Sequence, residues 1–187
     1  MDTRLVIQAQ EGDEEAFAAL AESVIDRFHG TALNILRRTD LADDATQQAL
    51  VRVWRDLPKL RDPSRFSAWS YRILLNACYS EARRFRRLMP EITFLQSTDT
   101  SVTDGLGVVA DRDQLERAFR RLSLDHRAVV VLHHYLGLTY AEVGATLDIP
   151  EGTVRSRLYR AMQALRSALD ADTRPALEPA EGTEVTP

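Results

Sequence analysis

Apolar side chains return every three or four positions along most of this chain, and they never alternate over a stretch long enough to predict a strand. Ala16, Phe17, Leu20, Val24 and Phe28 form one such stripe. A second helix is predicted over 42–57, where Ala45, Ala49, Leu50, Val53, Trp54 and Leu57 share a face and Pro58 cannot continue the hydrogen-bond ladder. A third fits 64–85, with Phe66, Trp69, Ile73 and Ala77 on one side and Ser64 as N-cap. Trp54 and Phe66 sit on these stripes and are read as core. From 88 to 111 the pattern stops, and Pro, Ser, Thr, Asp and Gly dominate, as in an extended linker. It resumes with Leu115, Ala118, Phe119 and Leu122, continues through the apolar run 128–135, and gives two more helices over 139–169. Beyond 170 it is lost, which predicts a disordered acidic tail. The expected fold is all-α: a helical domain over 5–87, a flexible linker over 88–111, a four-helix domain over 112–169 and a tail over 170–187.

The second domain carries the more specific motif. Thr139 and Glu142 have the spacing of a capping box, in which hydroxyl and carboxylate each satisfy the other's backbone N–H. Gly144 has no side chain to keep a neighbouring helix away. Asp148-Ile149-Pro150 breaks the helix, and Glu151-Gly152-Thr153 opens another with Val154, Leu158, Ala161 and Leu165 inside. Arg155, Ser156, Arg157, Tyr159 and Arg160 fall on its outer face. This is the layout of a helix-turn-helix whose second helix enters the major groove, where Arg reads guanine and Ser or Thr153 holds phosphate. The competing reading is a bundle helix with solvated arginines, but it does not account for the capping, break and basic face coming together.

The charge at first points the other way. The 187 residues hold 24 Lys+Arg and 28 Asp+Glu, a net charge of -4 that alone argues against a nucleic-acid ligand. Its distribution reverses that: residues 51–87 carry ten basic side chains against three acidic ones, and 112–169 carry nine against six. The surplus of acid lies in 1–50, the linker and the tail. The single Cys78 leaves no basis for an internal disulfide or a cysteine-rich zinc site, and His126, His133 and His134 lack the company a metal would need. No metal or other cofactor is expected. No apolar run is long enough to span a membrane and no leader pattern opens the chain, so a cytoplasmic protein without membrane insertion is expected. There is no phosphate loop or nucleophile motif, and an enzyme is not expected.

Block 51–87 interleaves its arginines with Trp54, Phe66, Trp69, Tyr71, Tyr79 and Phe85. Aromatic faces beside Arg suit unpaired bases, because rings stack on them while guanidinium groups neutralise phosphate. Tyr71, Arg72 and Asn76, beside the apolar stripe, are candidates for base capture, and Arg83 and Arg84 for phosphate contact. Asp44, Gln47, Gln48, Val51 and Arg55 share the outer side of the preceding helix, which reads as a protein-contact face.

Together these segments resemble the extracytoplasmic-function (ECF) group of bacterial sigma factors. Asp44-Ala45-Thr46-Gln47-Gln48-Ala49-Leu50 with Trp54-Arg55-Asp56-Leu57 is similar to the polymerase-binding segment, although position 48 is commonly acidic there. Phe66 to Asn76 is similar to the promoter-melting segment, and Gly152 to Ala161 to the helix that reads the minus-thirty-five element. The resemblance spans roughly 5–170. It implies a non-catalytic promoter-specificity subunit with core RNA polymerase, promoter DNA and an anti-sigma factor as partners. Asp44, Gln47, Gln48 and Arg55 would meet the polymerase clamp; Tyr71 and Asn76 would capture a flipped minus-ten base, supported by Trp69; Arg155, Ser156, Tyr159 and Arg160 would contact minus-thirty-five DNA. The alternative is a sigma-like decoy that titrates an anti-sigma factor, against which the retained Arg155, Ser156 and Arg160 argue. A dimeric helix-turn-helix repressor would leave block 51–87 unexplained.

Overall fold

A computed structural model describes the backbone of residues 3–88 and 106–173, and the side chains of 3–88 and 114–170. Among these residues there are eight α-helices in two domains and no strand. The first domain holds α1 (Thr3–Gln10), α2 (Glu14–Leu36), α3 (Thr39–Asp56) and α4 (Phe66–Leu88). α1 lies in the stretch before 88 that reads broadly as helical, but no apolar stripe marks it, and it buries only Val6 and Ala9. The side chain of Gln10 fixes it in place, donating to the carbonyls of Leu57 at 3.0 Å and Leu60 at 2.7 Å in the turn beyond α3.

Asp13 caps α2 by accepting from the Ala16 N–H at 3.0 Å, and Arg37 ends the helix in the left-handed region at φ 59°. α3 begins at Thr39, ahead of the expected 42, because Leu41 and Ala42 already belong to the core. It runs into a 3₁₀ turn, Leu57–Lys59, at Pro58. The expected cap at Ser64 is not formed. Asp62 accepts from the Ser64 N–H at 3.0 Å and from its hydroxyl at 2.6 Å, and caps a 3₁₀ turn, Pro63–Arg65, that precedes α4. A charged acceptor two residues upstream wins the competition for the free N–H group.

Leu20, Phe28, Ile35, Leu36, Ala45, Ala49, Val53, Phe66, Leu74 and Cys78 make the core. Phe66 lies in it, as expected, but Trp54 does not: it is 42% exposed and packs edge-on against Phe17 with ring centroids 4.4 Å apart. One step of about 100° past buried Val53 carries Trp54 to the rim of the stripe.

The second domain has four helices: α5 (Leu106–Arg121), α6 (Leu124–Val130), α7 (Tyr140–Leu147) and α8 (Glu151–Thr173), with a π-helical turn Val131–Tyr135 after α6. α5 thus starts inside the stretch 88–111, and α8 enters the stretch 170–187. Positions 89–105 and 174–187, where most of the linker and tail were expected, lie outside the described residues.

The helix-turn-helix forms as its residues dictate. The Thr139 N–H donates to Glu142 Oε2 at 2.8 Å and the Glu142 N–H donates to Thr139 Oγ1 at 3.3 Å, closing the capping box. The Thr139 N–H and hydroxyl, both donating to the Glu142 carboxylate at 2.8 Å, hold that carboxyl below its usual range. Asp148 takes the left-handed conformation at φ 58°. A Cβ on Gly144 would stand 2.8 Å from the Ile149 carbonyl oxygen, so the turn closes over this position only because the residue is glycine. Thr139→Ala is expected to cost about 1 kcal/mol of stability in a denaturant melt, the usual worth of an N-cap; an unchanged transition midpoint would show the cap to be idle.

Candidate nucleic-acid interface

The first turns of α8 bring the sequence candidates of the second domain together. Val154, Leu158, Ala161 and Leu165 are buried, which leaves Arg155, Ser156, Tyr159 and Arg160 on the open side. Tyr159 is 66% exposed, an aromatic side chain held in solvent. Arg155 pairs with Glu151 one turn back at 3.0 Å and lies over the Tyr140 ring at 5.7 Å. Both contacts are exposed and cheap to exchange for a phosphate or a base edge. Ser156 donates to the Thr153 carbonyl at 3.0 Å, and Thr153 itself is half-buried. Arg157 is set apart. It is turned to the flank, where its guanidinium meets Asp125 at 3.0 Å.

The candidates on α4 divide between two sides of the helix. Five positions separate Tyr71 from Asn76, which places them roughly 140° apart around the axis. Tyr71 packs over Phe28 of α2 with centroids 5.3 Å apart, and burial raises its pKa. Asn76 faces α3, in a groove of about 400 Å³ lined by Gln47, Gln48, Val51 and Arg55 from α3 and Ile73 and Ser80 from α4. The structure therefore joins Asn76 to the protein-contact candidates of α3, and leaves Tyr71 on the other flank. Val51 is 62% exposed there, an apolar side chain open to solvent.

Arg72 and Arg84 are engaged within the chain. Arg72 reaches across to Asp148 of the helix-turn-helix at 3.1 Å. Arg84 bridges Asp44 at 2.8 Å and Glu81 at 2.9 Å. Arg83 is exposed on the same helix end. Glu81 was not singled out from the sequence; an acid at an interior position of an apolar stripe was the available signal. Tyr79, read only as part of the aromatic block, donates its hydroxyl to Asp125 of the second domain at 2.9 Å, and burial, with Asp125 beside it, drives its pKa up.

Further contacts link the domains. Arg37 pairs with Glu116, and a Cβ on Gly30 would stand 2.8 Å from the Tyr135 hydroxyl. Arg72, Tyr79 and Arg157 are thus drawn into one interdomain seam, Arg157 through the Asp125 that it shares with Tyr79. The histidines are occupied in packing: His133 Nδ1 lies 2.7 Å from the Leu138 carbonyl and its ring contacts those of His134 and Tyr140, while His126 has its pKa lowered by burial and by Arg157. Cys78 is fully buried, which pushes its thiol up to about 12 and removes it from thiolate chemistry.

Comparison with known proteins follows the same division. Residues 20–88 match the family described as Sigma-70 region 2, and residues 112–165 match Sigma-70, region 4. The chain is 30% identical to the RNA polymerase sigma-H factor of Pseudomonas aeruginosa over 90% of this chain and 93% of that one. It is 32% identical to the ECF RNA polymerase sigma factor SigL of Mycobacterium tuberculosis over 84% and 93% respectively. Among solved structures it is similar to CnrH, in a structure of its complex with the cytosolic domain of CnrY, at 28% identity and a TM-score of 0.66, covering 92% of this chain and 99% of that one.

Proposed function

Since the chain belongs to the ECF sigma factors, promoter-specificity subunits of bacterial RNA polymerase, we propose how its residues divide that work. The domain of α1–α4 docks on core polymerase through Asp44, Gln47, Gln48, Val51 and Arg55 and engages opened minus-ten DNA through Asn76 and Tyr71. The domain of α5–α8 reads the minus-thirty-five element with Arg155, Ser156, Tyr159 and Arg160, Thr153 holding the backbone. The observation that carries this reading is the open face of α8, where two arginines, a serine and a tyrosine surround the N-terminal turns of a helix-turn-helix. The protein performs no catalysis. It supplies position and base capture while polymerase makes the bonds.

Arg72, Arg83, Arg84 and Arg157 have the charge for phosphate contact, but Arg72, Arg84 and Arg157 meet carboxylates in this conformation. Their use on DNA requires those pairs to exchange, and the exposed pair Arg72–Asp148 gives way as the two domains separate. We place the domain boundaries at 5–87 and 112–169, with 88–111 as connector and 170–187 as tail. The working compartment is the cytoplasm, where polymerase and chromosome meet, and among the described residues no helix is long and apolar enough to cross a membrane. An anti-sigma factor is the proposed regulator, by analogy with CnrH bound to CnrY.

Asn76→Ala tests the assignment in the first domain. It is expected to lower open-complex formation, read by permanganate footprinting of the minus-ten region, with core association unchanged. An unchanged footprint removes Asn76 from base capture. Weakened core association with normal opening assigns it to docking, the other role its groove offers.

A further inference from the structure

Glu81 is 2% exposed, in the wall between α3 and α4. Removing a carboxylate from water is costly unless charge and hydrogen bonds replace the lost hydration. Its replacements come from the two surfaces on either side. Gln48 of α3 donates its amide to Glu81 Oε1 at 2.5 Å. Arg84 lies 2.9 Å from Glu81 Oε2, a charge pair in which that oxygen accepts no hydrogen bond, and with the same nitrogen donates to Asp44 Oδ2 at 2.8 Å. Asp44, Arg84, Glu81 and Gln48 are thus one connected chain of charges and hydrogen bonds, crossing from α3 to α4 and back. Its two ends, Asp44 and Gln48, are residues of the proposed docking face. An ionised carboxylate only accepts, so it dictates which end of the Gln48 amide turns inward and leaves the carbonyl oxygen for a partner.

We propose that Glu81 is a positioning residue for polymerase docking: it orients Gln48 directly and Asp44 through Arg84, so that α3 and α4 build the docking surface together. The inference rests on the docking role given to α3. It assigns Arg84 to holding that surface in register. A buried acid that only filled space would be replaced by an apolar residue of like volume at no functional cost, provided that no buried charge is left without a partner. A positioning acid would not. The Arg84 left behind by such a change is half-exposed and keeps Asp44, so no uncompensated buried charge remains.

The experiment measures the affinity of the full-length protein for core polymerase, together with its thermal midpoint. Glu81→Leu is expected to keep the midpoint within a few degrees and to weaken core binding about tenfold, the size of one lost hydrogen bond to a charged group. Glu81→Gln keeps an acceptor for Gln48 and loses the Arg84 pair, so an intermediate loss is expected. Gln48→Ala should weaken binding in the parent and have no further effect in the Glu81→Leu background. If Glu81→Leu fails to fold, the same cycle is run with Glu81→Gln and Asp44→Asn. There Asp44→Asn is expected to cost less than in the parent, because its arginine has already lost one anchor.

Parental core affinity in a folded Glu81→Leu protein overturns the inference, as does an equal Gln48→Ala loss in both backgrounds or, in the fallback cycle, an equal Asp44→Asn loss in both. Val51→Glu separates this from failure of the docking reading. If it releases core while Glu81→Leu does not, the inference alone falls; if it leaves core binding intact, the docking reading falls and takes the inference with it.

Discussion

A holoenzyme carrying Arg155→Ala and Arg160→Ala together is expected to lose about 2–6 kcal/mol of recognition at its own minus-thirty-five element, at roughly 1–3 kcal/mol for each base-reading arginine. The two guanidinium groups lie on the open side of α8, in the turns that a helix-turn-helix places against base edges. Neither is needed for the fold. Arg155 pairs with exposed Glu151 and lies over the Tyr140 ring, contacts whose loss changes stability little. The helix is held instead by Val154, Leu158, Ala161 and Leu165. The loss should therefore fall on the cognate promoter and spare a template whose minus-thirty-five element has been scrambled, at an unchanged melting temperature. Transcription rates on the two templates give the answer. An equal loss on both would mean that the arginines meet phosphate and carry no sequence information.

The second large effect is expected from the interior. Phe28 is fully buried in α2 and its ring supports Tyr71 of α4, centroids 5.3 Å apart. Phe28→Ala should cost roughly 3–5 kcal/mol, the usual penalty for removing a buried aromatic ring. That is a large part of the roughly 5–15 kcal/mol by which a domain is stable. The change also removes the platform on which Tyr71 lies, so promoter opening should fall even at temperatures where the protein is still folded. A thermal midpoint that stays in place would show that the site can collapse around the gap, and would separate Tyr71 from Phe28 as a structural unit.

Periodicity and motif spacing carried different amounts of this structure. The helix-turn-helix was legible almost residue by residue, because capping box, glycine, left-handed aspartate and proline are local devices whose chemistry is visible in the sequence. The apolar stripes of α2, α3 and α4 were legible for the same reason: one helix sets their period. Four features were not. The N-terminal α1 buries two small side chains and is held by a glutamine bonding to carbonyls more than forty residues away, which no local window contains. Trp54 lies at the rim of its stripe, where the sequence gives no means of choosing between core and surface. Glu81 has its meaning from Gln48 and Asp44, on another helix 33 and 37 positions earlier. The separation of Tyr71 from Asn76 could have been foreseen from the helical period alone, because five residues do not return to the same face. The seam that draws in Arg72, Tyr79 and Arg157 depends on how two domains meet, and neither domain's own pattern encodes it.

The net charge of -4 also changes meaning. Residues 1–169 carry equal numbers of basic and acidic side chains, and several of the arginines facing DNA candidates are paired to carboxylates within the chain. Such a molecule offers free duplex little excess positive potential. Polymerase docking is what brings its reading helix to the promoter.

The central claim is that the chain confers promoter choice on core polymerase, and multiple-round transcription from a promoter library with purified core, with and without this protein, tests it most directly. The expected result is RNA from a small set of templates sharing spaced minus-ten and minus-thirty-five elements, absent without the protein and lost when Arg155 and Arg160 are both replaced by alanine. A protein that fails to associate with core, or that associates and yields no template-selective RNA, would contradict it.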